Sequence, residues 1–252
     1  MNLFFTIYWF ILGTCLGSFY QVVGTRIPEK GSMIAPPSHC AECKHRLGWR
    51  ELIPILSYLW QRGRCRHCES RISPLYPIME LLTGVLYAYA FYRFGWSGQF
   101  LMAGSIIALL VMITVSDLLY MLIPNKILLF FAGWFTLVRF FYPFAPWKQM
   151  IIGAIVGFLL LLIIAMISRG GMGGGDIKLF ALIGYLLGWK GVLATLFLSS
   201  LYGTIIGLFG MLRGNVQRGK PFPFGPSIAL GMLTLLFFSE DLYALYLSWL
   251  QD

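Results

Sequence analysis

The sequence predicts an all-α polytopic membrane protein of about eight transmembrane helices, with a small zinc-ribbon-like module between the first and second. Three observations carry that expectation. Hydrophobic residues make up 58% of the 252 positions and charged residues 12%, half the roughly 25% of a soluble domain. Mean hydropathy is +0.76. Four of the five cysteines fall in one polar segment, and long uncharged runs fill most of the remainder. A single soluble domain, a disordered chain and a collagen-like chain are thereby excluded.

The elements follow in order. Arg26 is the first charged side chain, and residues 3–25 form an apolar run longer than the about 20 residues a span needs. No Lys or Arg precedes that run, so a cleaved signal peptide is not expected. Residues 26–75 are polar and carry Pro, His and paired Cys. Further spans are expected near 76–92, 98–116, 127–142, 149–167, 177–189, 191–212 and 222–238, the sixth and seventh forming a tight hairpin at Gly188-Trp189-Lys190-Gly191. The division is therefore 1–25 first span, 26–75 module, 76–252 membrane core. Alternating spans put 15 of the 19 basic residues on the side of segment 26–75. The positive-inside rule makes that side cytoplasmic and places both termini outside. The net charge of +9 is then a matter of topology, and no nucleic-acid partner is expected. The tail Asp241–Asp252 alternates Leu and Trp with polar residues, as an interfacial helix does. No internal repeat of domain-building length is evident.

Cys15 stands alone in the first span and reads as a buried thiol. The other four form Cys40-Ala41-Glu42-Cys43 and Cys65-Arg66-His67-Cys68. Two CxxC pairs at this separation are a zinc signature, because each turn presents two thiolates and two turns complete a tetrahedron. Two disulfides are the rival, and a reducing cytoplasmic side argues against them. Four sulfur ligands leave no open position for a catalytic water, so a structural zinc ion is expected in a module too small to fold on a core alone. His39, His45 and His67 share the module and are expected in solvated or packing roles.

Of ten acidic residues, four lie in the module and three near the C-terminus. Glu80, Asp117 and Asp176 remain in or beside the membrane, where a carboxylate is a functional candidate by default. No His accompanies them, which excludes Ser-His and Cys-His catalysis there. Asp117 precedes a helix break at Pro124-Asn125. Asp176 ends a run containing Gly170, Gly171, Gly173, Gly174 and Gly175, which is expected to be irregular and to line a wet cavity. A close pair of carboxylates shares one proton, giving a base and an acid that can activate water against a peptide carbonyl. The alternative is that each carboxylate caps a helix or pairs with Lys126 or Lys178.

The ordered motifs resemble type IV prepilin peptidases, bifunctional leader peptidase/N-methyltransferases of the GxGD type of membrane aspartic protease. They include Gly17-Ser18-Phe19 with Val22-Val23, Arg26-Ile27-Pro28, Pro36-Pro37-Ser38-His39-Cys40, Ile53-Pro54-Ile55-Leu56-Ser57-Tyr58, Gly63-Arg64-Cys65, Tyr76-Pro77 with Glu80, Asp117 before Ile123-Pro124, Gly173-Gly174-Gly175-Asp176 and Pro223-Phe224-Gly225-Pro226. The resemblance covers nearly the whole chain. It implies that Asp117 and Asp176 are the catalytic pair, that Gly173, Gly174 and Gly175 form the signature loop, and that the four module cysteines bind zinc. It implies prepilin or pseudopilin substrates cut on the cytoplasmic side of a bacterial plasma membrane, with S-adenosylmethionine as methyl donor. The length is that of competence-type members. One departure is Tyr20-Gln21, where the family often has a residue followed by Asn. No Rossmann-type glycine motif marks a methyl-donor site. Glu80 is a candidate for binding the donor or the prepilin amine, with a structural acid as the alternative.

A second reading is an ion- or proton-coupled transporter that uses Asp117 and Asp176 at a broken helix. It explains the glycines and leaves the cysteine module without a role. A third is a membrane anchor whose zinc ribbon binds a partner, which leaves the aspartates without one.

Overall fold

The computed structural model describes residues 2–143, 145–168, 172–214 and 222–249, and it is helical wherever the sequence is apolar. The helices are α1 (Asn2–Arg26), α2 (Leu56–Trp60), α3 (Leu75–Phe94), α4 (Gly98–Tyr120), α5 (Asn125–Phe141), α6 (Trp147–Ile167), α7 (Gly174–Leu212) and α8 (Gly225–Trp249). No strand forms among the described residues. α1, α4, α6 and α7 are each long and apolar enough to cross a membrane, so the chain is a multi-pass membrane protein. It divides into two compact units, Met1–Val115 and Ser116–Asp252, with the boundary inside α4.

In the first unit, α1 and α3 pack through small residues. A Cβ on Gly13 would lie 2.9 Å from the Gly84 Cα, and one on Gly17 would lie 2.9 Å from the Thr83 Cβ. Gly13 and Gly17 are one turn apart, the small-xxx-small spacing that lets membrane helices meet backbone to backbone. In lipid there is no hydrophobic drive between helices, so this close packing must hold the pair. Tyr20 and Tyr87 then share a buried hydrogen bond of 2.7 Å, and Tyr87 donates to the Gly104 carbonyl of α4 at 2.9 Å. Near one end of these helices, Trp9 packs against Phe91, Trp96 and Phe100, an aromatic girdle of the kind found at membrane interfaces.

In the second unit, α6 and α7 use the same device. A Cβ on Gly153 would collide with the Gly184 carbonyl oxygen, and one on Gly157 with that of Phe180. Gly188 has φ 71° and breaks α7 into two limbs. The chain folds back there: a Cβ on Gly184 would sit 2.9 Å from the Val192 side chain, whereas eight residues of straight helix would separate them by about 12 Å. The hairpin expected at Gly188–Gly191 is therefore present. α8 breaks at Phe238, where the sequence ends its last span. Its backbone stays helical through Trp249, while the side chains of the tail on which the interfacial-helix reading rests lie outside the described residues. So do Arg169, Gly170 and Gly171, and the basic residues Arg218 and Lys220.

Candidate functional site

The second unit assembles its aspartate site from three helix ends. Asp117 lies in the last turn of α4 and is 6% exposed. α4 ends just beyond it: Met121 adopts φ 51° and donates its N–H to the Asp117 carbonyl at 2.9 Å, and the Ser116 hydroxyl donates to the Leu122 carbonyl. Pro124 then caps α5, since a proline has no N–H to lose at a helix start.

The described part of the glycine run, Gly173 to Gly175, is less irregular than the sequence suggested. Gly173 is the N-cap of α7, and Gly174 and Gly175 already belong to its first turn. The N–H groups of a first turn need no partner within the helix, so glycine weakens that turn less than it would a helix interior. Asp176 occupies the third helical position and accepts the Gly173 N–H at 3.2 Å through Oδ2, the reaching-back half of a capping box. Gly175 is required by contact: a Cβ there would lie 2.7 Å from that of Ile123. Without a side chain, the start of α7 abuts the α4–α5 link, which brings Asp176 within electrostatic reach of Asp117.

The third contributor is Gly225, the first residue of α8. Its N–H donates to Asp117 Oδ2 at 2.6 Å, and a Cβ on it would collide with that same oxygen at 2.8 Å. As a sequence motif, Pro223-Phe224-Gly225-Pro226 pointed to no role. A glycine followed by proline at the first turn is a helix-start signal, but its partner 108 positions away was not legible. Both aspartates thus give Oδ2 to a backbone N–H at a helix start. Among the described residues, Oδ1 of each is left for a proton, a water or a substrate. The capping alternative is true of one oxygen only. Lys178 donates to Asn125 Oδ1 at 2.9 Å.

The first unit holds the cysteines. Cys40, Cys43, Cys65 and Cys68 place their sulfurs within 4.8 Å of one another. Cys40 to Cys68 is 3.8 Å and Cys43 to Cys65 is 4.0 Å. Sulfurs at about 2.3 Å from a tetrahedral zinc lie about 3.8 Å apart, and a disulfide would need about 2.05 Å. The donor set therefore fits zinc. The two knuckles are built alike. Cys40 N–H bonds to the His45 carbonyl, Lys44 N–H to that of Cys40 and Leu47 N–H to that of Ser38; Cys65, Glu69 and Ile72 repeat this with Ser70, Cys65 and Gly63. Lys44 and Glu69 both take φ 57°. This short structural repeat is carried by only a few identical residues, which is why no repeat was evident in the sequence.

The knuckle electrostatics favour a cation. The backbone N–H of Cys43 and then the Ser70 hydroxyl pull the Cys40 thiol down to about 6. Ser70 likewise lowers Cys68. At Cys43 the His45 N–H favours the thiolate, but desolvation and the three neighbouring sulfurs outweigh it and push the thiol up to about 11. Four thiolates cannot coexist here without a positive ion between them.

Glu80 lies in α3 of the same unit. Its Oε2 accepts the Ile55 N–H at 2.7 Å, and the Ser18 hydroxyl also bonds to it. Ile55 has φ 63°, so the carboxylate clamps a strained turn at the foot of the module. Gln21, the departure noted above, donates to the Tyr76 carbonyl at 3.0 Å, joining α1 to the start of α3.

Two family models match the chain. Residues 11–94 match the Bacterial Peptidase A24 N-terminal domain and residues 104–208 match the Type IV leader peptidase family. A protein of Bacillus subtilis named prepilin leader peptidase/N-methyltransferase is 44% identical over 239 residues, covering 95% of this chain and 96% of the relative. Proteins of the same name from Aeromonas salmonicida (33% identical, 95% and 92% covered) and Burkholderia pseudomallei (36%, 87% and 72%) also match. No solved structure matches.

Proposed function

Since the chain belongs to the type IV leader peptidase family, we propose that it cleaves the leader from type IV prepilins or pseudopilins with Asp117 and Asp176 as its catalytic pair. One observation carries the assignment of these residues. The two carboxylates come from separate helices, interact with each other, and are each held through a single oxygen by a backbone N–H.

In such a pair one carboxylate works charged and the other protonated. The charged one takes a proton from a water as it attacks the scissile carbonyl. The protonated one gives its proton to the carbonyl oxygen; as the C–N bond of the resulting diol breaks, the proton taken from water passes to the leaving amine and a diol hydroxyl returns a proton to the dyad. Backbone N–H groups that fix Oδ2 orient each Oδ1 without competing for it. A substrate helix already in the bilayer reaches such a site by lateral movement, which reduces the entropy lost in positioning it. The transporter reading of the aspartates finds no support in the family assignment.

The basic ends of the spans support a cytoplasmic position for the module and for the aspartates, with both termini outside a bacterial plasma membrane. Zinc in the Cys40, Cys43, Cys65 and Cys68 site would tie two knuckles that share no sizeable core. The relatives' name adds N-methylation, for which S-adenosylmethionine is the donor. Glu80 is engaged by Ile55 and Ser18, and we read it as the module's anchor to α3 in preference to a donor-binding group.

The test is co-expression with a prepilin and measurement of the product's N-terminal mass for wild type, Asp117→Asn and Asp176→Asn. A shortened product from wild type alone supports the dyad, and a further methyl mass reports the second activity. Equal cleavage by all three would sink the aspartyl mechanism.

A further inference from the structure

We propose that the cysteine module lies flat on an anionic lipid surface, the face of the same bilayer that α1 and α3 cross. This inference rests on the membrane-spanning reading of those helices and on none of the catalytic assignments.

The module's exposed surface is inverted for a domain meant to sit in water. In α2 the exposed side chains are Leu56, Leu59 and Trp60, at i, i+3 and i+4 on one helix face. Its polar Ser57 is half-buried, and Tyr58 turns inward over Gly63, where a Cβ would lie 2.9 Å from the Tyr58 hydroxyl. The preceding turn exposes Trp49 at 71% and Leu52 at 45%. Apolar surface of this kind marks a contact with something less polar than water.

The charges beside it select the partner. Residues 26–75 contain nine basic and four acidic side chains. Arg50 lies over the Trp49 ring at 5.0 Å, and Arg62, Arg64 and Arg66 follow the exposed face of α2 as exposed side chains. Tryptophan seats at the headgroup level, aliphatic side chains reach the acyl boundary, and arginine meets lipid phosphate. A soluble acidic protein would answer the charge but not two exposed tryptophans beside three leucines.

Placement supplies the rest. The module lies between Arg26, the end of α1, and Leu75, the start of α3, which packs along α1. Tethered at both ends, it meets the surface at high effective concentration, so even a weak interfacial affinity keeps it docked.

The experiment uses the full chain labelled with 5-fluorotryptophan in lipid nanodiscs, with the fluorine resonances of Trp49 and Trp60 assigned by Trp49→Phe and Trp60→Phe. Two broadening agents are compared: a lipid with a nitroxide headgroup and a water-soluble gadolinium chelate. Both resonances are expected to be broadened by the nitroxide lipid and spared by the chelate in discs containing phosphatidylglycerol. The lipid effect should fall by about twofold or more in phosphatidylcholine discs. Broadening by the chelate alone would mean a water-exposed surface and overturn the proposal. Protection from both agents would mean that protein covers the tryptophans and would overturn it too. Equal lipid broadening in the two kinds of disc would overturn the anionic preference.

Discussion

The cysteine module and the aspartate site are built by opposite routes. The four sulfurs come from one stretch, Cys40 to Cys68, and each knuckle closes on hydrogen bonds a few residues long. The aspartate site takes Asp117 from the end of α4, Gly173 to Asp176 from the start of α7 and Gly225 from the start of α8. The first is a pattern of spacing. The second is a pattern of close approach, and its spacing carries no information. Glycine marks the difference: in the knuckles the strained turn residues are Lys44 and Glu69, whereas at the aspartates glycine is needed because a neighbouring element touches the backbone.

The comparison predicts that the two regions fail separately. Asp117→Asn and Asp176→Asn should each lower cleavage by about 10³-fold or more, with metal content unchanged by elemental analysis. A mutant that lost both would tie the regions together. Gly225→Ala should come next. Its Cβ would push on Asp117 Oδ2, and a displacement of about 1 Å can reduce rate by about 10²-fold. Gly175→Ala should act in the same direction through Ile123. In both variants kcat should fall further than KM rises.

Changes in the module should reach cleavage more weakly. Cys43→Ser should abolish metal binding and lower the melting temperature, yet reduce cleavage by less than about tenfold, Asp117 and Asp176 being elsewhere in the chain. Acid should release the metal for a related reason. The Cys40 thiol sits at about 6 without metal, so its thiolate is available above that pH and is lost as pH falls through it; a bound cation moves the loss lower still. Zinc release on acid titration, followed with a chromogenic chelator, should therefore begin below about pH 6. The smallest effect is expected from Ser70→Ala, which removes a hydroxyl 3.6 Å from Cys40 and 3.1 Å from Cys68. Metal affinity should fall by about 10-fold with the protein still folded.

Most of the fold was legible because lipid leaves few choices: an apolar run of sufficient length must be a helix. The hairpin at Gly188 could be read from the short apolar core around it. The knuckles were legible as chemistry, though not as a structural repeat, because hydrogen-bond pattern is conserved between them and side chains are not. The aspartates were singled out by elimination and resemblance. What could not be read was which oxygen each carboxylate commits to a helix start, the helical state of Gly174 and Gly175, and the part played by Gly225. The GxxxG faces Gly13/Gly17 and Gly153/Gly157 were also missed. Their signal is present in the sequence, but small residues are common in apolar helices and only the packing partner shows which are contacts.

The break at Gly188 has a consequence for the membrane itself. From Gly174 to Gly188 the first limb of α7 rises only about 21 Å at 1.5 Å per residue, against a hydrocarbon thickness of about 30 Å. A limb about 9 Å short cannot hold both of its ends at the two surfaces of an unperturbed bilayer. The mismatch must be relieved by thinning the lipid around it or by admitting water at an end, and Asp176 marks one of those ends. Acyl-chain length would then act on the enzyme as a substrate-independent control. Cleavage in nanodiscs should slow as the lipid is lengthened, because each added increment of thickness buries the carboxylates further from the water they must use.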